Sequence, residues 1–273
     1  MKKAAFIGSG NMGGALIRAA CRAVGPEQVI IADARRDMAE ALAAELGCAV
    51  ADNGGAVAGA EYIFLCVKPQ VLPAVAAELV PALNACRARG EDKVLVSIAA
   101  GVTISSLRGW LAGLVWDVPI LRVMPNTCAA IGKGMLALTD GGAGAEEALA
   151  GAEAILAGAG RVERMAEGLM DQFTAVAGCG PAYVYLLIEA LADGGVMAGL
   201  PRAQAQTYAA QTVLGAAAMV LETGKHPGQL KDEVCSPGGS TIVGVAALEA
   251  GGFRTAAIRA VQAAFEKNQE LGK

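Results

Sequence analysis

Short apolar runs alternate with longer mixed segments along the first half of the chain. The runs cover residues 3–7, 29–32, 62–67, 93–98 and 120–123. Continuous apolar runs of this length are typical of parallel strands that are buried on both faces, and the segments between them have helical composition. The alternation predicts an α/β domain in which helices cover both sides of a parallel sheet.

From about residue 165 onward the strand pattern disappears. The later segments have helical composition, and most of them open with proline or threonine near the first turn; they cover 181–197, 201–223, 241–251 and 253–271. The sequence therefore predicts a sheet domain over residues 1–165, followed by an all-helical domain over residues 166–273.

The segment 203–221 is uncharged and long enough to be considered as a membrane span. Its five polar side chains would be costly in lipid, so we predict no membrane span here; they are Gln204, Gln206, Thr207, Gln211 and Thr212. Small and apolar residues occupy nearly every face of the predicted helix, which must therefore be buried. A domain of about 110 residues has little interior. We predict an obligate dimer, the alternative being a central helix surrounded by its own domain.

Composition narrows the class of protein. Hydrophobic residues make up 55% and charged residues 18% of the 273 residues, as expected for a globular chain with a large core. The net charge of −4 and the 4% of aromatic residues disfavour nucleic-acid binding. Seven cysteines without a Cys-x-x-Cys pair, and a single histidine, predict neither a metal site nor a disulfide framework. We expect a reducing, cytoplasmic location.

A glycine-rich segment follows the first predicted strand directly and opens a helix. Glycines in a Gly-x-Gly-x-x-Gly loop permit a tight turn and bring backbone N–H groups close to a pyrophosphate at the helix N-terminus. We predict dinucleotide binding at this loop, with a glycine-rich turn that binds nothing as the alternative. The predicted cofactor-binding residues are Gly8, Ser9, Gly10, Asn11, Met12 and Gly13.

Two signals conflict just after the second predicted strand. Asp33 stands where an acidic residue would accept a hydrogen bond from the ribose 2′-hydroxyl of NAD. Arg35 and Arg36 could instead pair with the 2′-phosphate of NADP, unless they form a solvated charge cluster. We predict a moderate preference for NADPH, with NADH also possible.

Three further segments follow predicted strands: residues 66–70, 97–101 and 122–127. Open parallel sheets bind ligands beyond the carboxyl ends of their strands. Each segment alone can be an ordinary strand end, but together they predict a shared floor for the cofactor.

The second half holds one loop with a chemical signal. Residues 236–241 read Ser-Pro-Gly-Gly-Ser-Thr and run into an apolar helix. Free N–H groups at a helix start, with the hydroxyls of Ser236, Ser240 and Thr241, predict an anion site. The alternative is an ordinary helix N-cap formed by Ser240 or Thr241.

The order of these segments resembles that of the pyrroline-5-carboxylate reductases. Residues 226–232 (His-Pro-Gly-Gln-Leu-Lys-Asp) and the loop 236–241 are the most specific part of a resemblance that extends over essentially the whole chain. The resemblance implies an N-terminal Rossmann-like domain and a C-terminal helical domain that dimerises. It implies a homo-oligomer built from dimers, with each active site shared between two subunits. The implied reaction is hydride transfer from NAD(P)H to the C=N bond of 1-pyrroline-5-carboxylate, which gives L-proline in the last step of its biosynthesis.

The resemblance also implies roles for individual residues. The substrate carboxylate is expected on the partner's loop of Ser236, Gly238, Gly239, Ser240 and Thr241, with Thr241 beside the ring nitrogen as the catalytic residue. Further cofactor contacts are expected at Arg35, Asn53, Val67, Lys68, Pro69, Ala100, Met124 and Pro125.

Two other functions stay open from the sequence. A β-hydroxyacid dehydrogenase-like oxidoreductase would normally carry a catalytic lysine on the helix 181–197, which has none. A non-enzymatic nucleotide-sensing protein is the alternative from another class.

Overall fold

The computed structural model describes residues 1–271 and divides into two compact units. The sheet unit comprises Met1–Cys179 and residues 264–271, and the helical unit comprises Gly180–Ala263. The boundary predicted after residue 165 precedes this division, and residues 272 and 273 of the predicted helical domain lie outside the described residues.

The sheet unit is built on one sheet with the strand order β3-β2-β1-β4-β5-β6-β7-β8. The strands are β1 (Lys2–Ile7), β2 (Val29–Ala32), β3 (Ala49–Val50), β4 (Ala60–Leu65), β5 (Val94–Ser97), β6 (Ile120–Met124), β7 (Gly134–Thr139) and β8 (Gly160–Arg164). Its helices are α1 (Asn11–Val24), α2 (Arg36–Leu46), α3 (Asn53–Gly59), α4 (Leu72–Ala88), α5 (Ile104–Trp110), α6 (Glu146–Leu156) and α7 (Met170–Phe173).

The predicted α/β class is confirmed. We expected a wholly parallel sheet, but one pair of strands is antiparallel. β7 runs antiparallel to β6, whereas the other neighbouring pairs are parallel. The sequence pattern also missed β3, β7 and β8. β3 has only two residues, and β8 is half-buried or exposed along its whole length, so neither forms a continuous apolar run.

Successive residues of the central strands face two separate cores. Phe6 and Phe64 stack at 4.5 Å on one side of the sheet, while Ile7 and Ile63 lie in the core on the other side. Because side chains alternate between the two faces and both faces are covered, most positions of these strands are apolar. This explains the continuous apolar runs that predicted the strands.

The helical unit has a very small core of its own. Its helices are α8 (Gly180–Met197), α9 (Arg202–Thr223), α10 (Pro227–Glu233), α11 (Ser240–Ala250) and the first part of α12 (Phe253–Leu271). Only Ala192, Ala205 and Ala209 form its described buried cluster, against which Ile188 and Val196 pack.

Large apolar side chains of the helical unit lie on the surface of the single chain. Leu186 is 68% exposed, Leu214 56% and Val243 66%. Within the described chain, α9 buries only Ala205 and Ala209. The alternative that α9 is a central helix surrounded by its own domain is therefore wrong. An apolar surface of this extent is typical of a protein interface.

Candidate active site

The three glycines of the loop after β1 meet different physical requirements. Gly8 has φ +105°, and a Cβ atom there would lie 2.8 Å from the backbone of Cys66. A Cβ atom on Gly13 would lie 2.1 Å from the carbonyl oxygen of Gly8. Gly10 is different, because a Cβ atom there would meet no described heavy atom within 4 Å. Gly8 and Gly13 are thus required by the fold, whereas Gly10 keeps a space open beside the loop.

The open space lies at the N-terminus of α1. Gly10 is the N-cap residue, no side chain of the described residues caps this end, and the first turn carries no acidic residue. The first N–H groups of a helix have no partner within the helix and attract anions. A cavity of about 430 Å³ adjoins this end and is lined by Ser9, Gly10, Asn11, Arg18 and Arg35, among others. The loop therefore fits a pyrophosphate group.

The carboxylate of Asp33 is hydrogen-bonded within the protein. Its Oδ2 atom accepts hydrogen bonds from the backbone N–H of Ser9 at 2.6 Å and from the Ser9 hydroxyl at 2.7 Å. Its Oδ1 atom accepts a hydrogen bond from the backbone N–H of Arg35 at 2.9 Å. Burial alone would raise the pKa of Asp33, but these hydrogen bonds outweigh it and lower the pKa below its ordinary value. The carboxylate thus joins the glycine loop to the end of β2.

The two arginines after Asp33 have different surroundings. Arg35 lines the cavity beside the glycine loop. Arg36 forms an exposed ion pair with Glu40, one helical turn further along α2, at 2.8 Å. The interpretation as a solvated charge pair therefore describes Arg36, and Arg35 is the residue that faces the expected position of the cofactor.

Arg18 lines the same cavity, although the sequence analysis did not select it. It pairs with Glu45 through two hydrogen bonds. Arg18 follows Asn11 by seven residues and Gly14 by four, so all three lie on one face of α1. Helical spacing from the glycine loop was the signal that could have identified it.

The register of the sheet brings the other predicted strand ends to one edge. Ile7 pairs with Leu65, Leu65 with Ser97, and Ser97 with Arg122, so these residues form a row across four parallel strands. The expected cofactor contacts after β4, β5 and β6 all lie beyond this row: Val67, Lys68, Pro69, Ala100, Met124 and Pro125. Lys68 and Ala100 are exposed there. The shared edge is therefore present, while each contact with a cofactor remains a prediction.

Asn53, which we expected to contact the cofactor, is hydrogen-bonded to a neighbouring helix. It is the first residue of α3, and its Nδ2 atom donates hydrogen bonds to both carboxylate oxygens of Glu78 on α4, at 3.1 and 3.2 Å. This pairing fixes the amide and leaves Oδ1 as the atom through which Asn53 would accept a hydrogen bond from a ligand.

In the helical unit, the loop before α11 ends at an exposed helix N-terminus. Gly239 is the N-cap residue, and no side chain among residues 1–271 caps this end. The alternative that Ser240 or Thr241 is an ordinary N-cap is therefore wrong, because both are residues of the first helical turn. Gly238 has φ +70°, which favours glycine, and a Cβ atom on Gly239 would lie 2.4 Å from the Ser236 hydroxyl oxygen. The free N–H groups suit an anion.

A sheet that presents such a glycine loop at the carboxyl ends of its central strands is a dinucleotide-binding domain of the Rossmann type. Such a domain fits a dinucleotide-dependent oxidoreductase, in which the loop before α11 would supply an anion site on the helical unit. Comparison with family profiles agrees with this class. Residues 3–101 match the profile described as NADP oxidoreductase coenzyme F420-dependent, and residues 167–271 match the profile described as pyrroline-5-carboxylate reductase dimerisation.

Full-length relatives identify the family. The chain is 42% identical over 275 residues to the pyrroline-5-carboxylate reductase of Escherichia coli K12, covering 100% of this chain and 99% of the relative. The solved structure of the Coxiella burnetii enzyme superposes with a TM-score of 0.89 at 30% identity, covering 100% and 99% of the two chains. The Plasmodium falciparum enzyme, solved with NADP bound, gives 0.85 at 30% identity, covering 100% and 98%. The chain belongs to the pyrroline-5-carboxylate reductase family, as its sequence predicted.

Proposed function

We propose that the protein reduces 1-pyrroline-5-carboxylate to L-proline by hydride transfer from NADPH. The observation that supports this most directly is full-length similarity to pyrroline-5-carboxylate reductases, together with the glycine loop and the anion loop. The similarity also decides against a β-hydroxyacid dehydrogenase and against a non-enzymatic nucleotide sensor. We place the reaction in amino-acid biosynthesis, as the last step towards proline.

NADPH is the expected cofactor because Asp33, the residue that would favour NAD, is hydrogen-bonded within the protein. Three hydrogen-bond donors already use most of the roughly four acceptor positions of the Asp33 carboxylate, which leaves little capacity for a ribose 2′-hydroxyl. Arg35 lines the cavity and can pair with a 2′-phosphate. NADH lacks that phosphate and is expected to bind more weakly.

The chain's own residues bind and orient the two reactants. When bound, the reduced nicotinamide supplies a hydride to the C=N carbon. The loop of Ser236, Gly238, Gly239, Ser240 and Thr241 would hold the substrate carboxylate through the free N–H groups of α11. The Thr241 hydroxyl would orient the ring nitrogen, and an imine that arrives protonated needs no strong acid. Most of the rate enhancement is then expected from positioning.

A homo-oligomer built from dimers accounts for the apolar surface of the helical unit. By length and composition alone, residues Glu167–Met197 could also cross a membrane. The family profile for residues 167–271 is a dimerisation domain, so we assign the exposed apolar residues to a subunit interface. In the dimer, the anion loop of one subunit would serve the sheet unit of the other.

The proposed location is the cytoplasm. All seven cysteines are free thiols, which a reducing compartment preserves.

The function is tested with purified protein and synthetic 1-pyrroline-5-carboxylate. We expect oxidation of NADPH at 340 nm, formation of proline in equal amount, and a lower kcat/KM with NADH. The absence of proline formation at saturating imine with either cofactor would exclude the proposed reaction. Equal kcat/KM values for the two cofactors would exclude only the cofactor preference.

A further inference from the structure

Asn126 occupies a helix N-cap position but does not cap the helix. It follows β6 and precedes a short 3₁₀ helix, Thr127–Ile131, to which its side chain makes no hydrogen bond. An asparagine at this position ordinarily uses its side-chain oxygen to accept from a backbone N–H. The residue is only 7% exposed, so its side chain is turned into the protein.

A break in the helical hydrogen-bond pattern fixes the orientation of the Asn126 amide. Its Nδ2 atom donates to the carbonyl oxygen of Ala177 at 2.9 Å. Ala177 lies in the π-helical turn Thr174–Gly178, and the residue four positions later, Pro181, has no N–H to offer. A carbonyl oxygen can only accept, so the nitrogen side of the Asn126 amide faces Ala177, and this leaves the Oδ1 atom on the other side.

The Oδ1 atom of Asn126 is the one buried side-chain oxygen without a hydrogen-bond donor in the part of the chain that the structure describes. Buried polar atoms are almost always paired, because an unpaired one loses its hydration without compensation. An unpaired acceptor held in a fixed orientation is consistent with a ligand that brings a donor.

The position of Asn126 indicates which donor. Arg122 ends the row of paired residues that crosses the sheet from Ile7 through Leu65 and Ser97, and Asn126 follows Arg122 by four residues, just beyond the end of β6. Three strand spacings, about 14 Å, separate β6 from β1, whose loop is the pyrophosphate site. A dinucleotide bound at that loop extends along this edge of the sheet. We propose that Asn126 Oδ1 accepts a hydrogen bond from the carboxamide NH₂ of the nicotinamide and thereby orients the ring. This inference rests on the proposed function.

The test removes the donor from the cofactor and the acceptor from the protein. Dissociation constants are measured by fluorescence titration for NADPH and for its reduced 3-acetylpyridine analogue, in which a methyl ketone replaces the carboxamide. The wild-type protein should bind NADPH at least ~10-fold more tightly, a difference of about 1.4 kcal/mol. In Asn126→Ala this preference should disappear. Asn126→Asp, which keeps an acceptor oxygen, should retain a preference for NADPH.

Two controls separate this inference from other effects. The thionicotinamide analogue keeps the NH₂ group and should bind like NADPH. The fragment 2′-phospho-ADP-ribose lacks the nicotinamide, so its affinity should be unchanged in folded Asn126→Ala. Equal wild-type affinities for NADPH and the acetylpyridine analogue would overturn the inference, whether or not the variants fold. An undiminished preference in Asn126→Ala would overturn it as well. If proline is formed normally but either result is obtained, the proposed function stands and only the role of Asn126 fails.

Discussion

Alanine substitution at Gly13 should lower stability, whereas the same substitution at Gly10 should weaken cofactor binding and leave stability nearly unchanged. A Cβ atom on Gly13 would lie 2.1 Å from the Gly8 carbonyl oxygen, against a normal non-bonded contact of roughly 3.5 Å. The obstructing atom belongs to the backbone and cannot rotate away. A Cβ atom on Gly10 meets no described atom within 4 Å, and the φ of −62° at this residue suits alanine. Gly10→Ala should therefore leave the fold intact and fill only the space beside the pyrophosphate site.

The magnitudes follow from these contacts. We take the overpacking cost of Gly13→Ala as about 3 kcal/mol, at the upper end of the usual range, because the atom that the new Cβ meets belongs to the main chain. The helical propensity of alanine returns up to about 1 kcal/mol, which leaves a loss of about 2 kcal/mol. For a chain of this size that corresponds to a Tm lowered by roughly 4–8 °C. Gly10→Ala should shift the Tm by less than about 2 °C, while the Kd for NADPH should rise at least ~10-fold.

Differential scanning calorimetry and fluorescence titration measure the two effects on the same preparations. An unchanged Tm for Gly13→Ala would mean that α1 does not approach the end of β1 as closely as the structure shows. Wild-type affinity for NADPH in Gly10→Ala would mean that the pyrophosphate does not lie against the N-terminus of α1. The 2′-phospho-ADP-ribose fragment, which retains the pyrophosphate, should lose affinity in parallel with NADPH.

Four further predictions concern the residues around the two anion sites and the interface. The folded-state pKa of Asp33 is lowered, so its stabilising contribution is complete above its ordinary value of 3.8 and is lost as the pH falls through the lower folded value. The difference in unfolding free energy between wild type and Asp33→Asn should shrink over that range, and a pH-independent difference would contradict the hydrogen bonds to Ser9. Arg35→Ala should weaken NADPH ~10-fold more than NADH, whereas Arg36→Ala, its matched control, should affect both cofactors equally; identical behaviour of the two variants would refute their different placement. Thr241→Ala should lower kcat/KM for the imine at least ~10-fold and leave the Kd for NADPH unchanged, and wild-type kinetics would remove Thr241 from the site. Ala216→Glu places a charge on an exposed face of α9 and should separate or unfold the dimer, as measured by light scattering; an active wild-type protein with the mass of one chain would rule the dimer out.

Local patterns in the sequence predicted those features that depend on residue type alone. The central strands were predictable because both faces of the sheet are covered there, which makes most of their positions apolar. The glycine loop was predictable because a φ of +105° at Gly8 and the close approach at Gly13 both require the absence of a side chain. The edge strand β8 was not predictable from hydrophobicity, because its sequence Gly-Arg-Val-Glu-Arg is largely polar and exposed.

Helix α9 shows what its apolar pattern can predict and what it cannot. A helix that is apolar on nearly every face must be covered, and this much follows from composition. What covers it depends on the number of neighbouring helices within the same chain, which the pattern along one helix does not contain. In the described residues the neighbouring helices cover little of α9, since only two alanines are buried while Tyr208, Leu214 and Leu221 stay on the surface. The remaining apolar area is then left for a second subunit.

Asp33 shows why a residue type at the right position can still mislead. The sequence places an acid where NAD-binding domains carry one, and nothing local indicates where its carboxylate points. The donors that occupy it come partly from Ser9, which is 24 positions earlier in the chain and reaches Asp33 only after β1 and β2 pair. Once those bonds form, the carboxylate supports the pyrophosphate loop and has used three of its roughly four acceptor positions. We therefore expect cofactor selectivity to depend on the positive charge of Arg35, so that an acidic residue after β2 is compatible with an enzyme that uses NADPH.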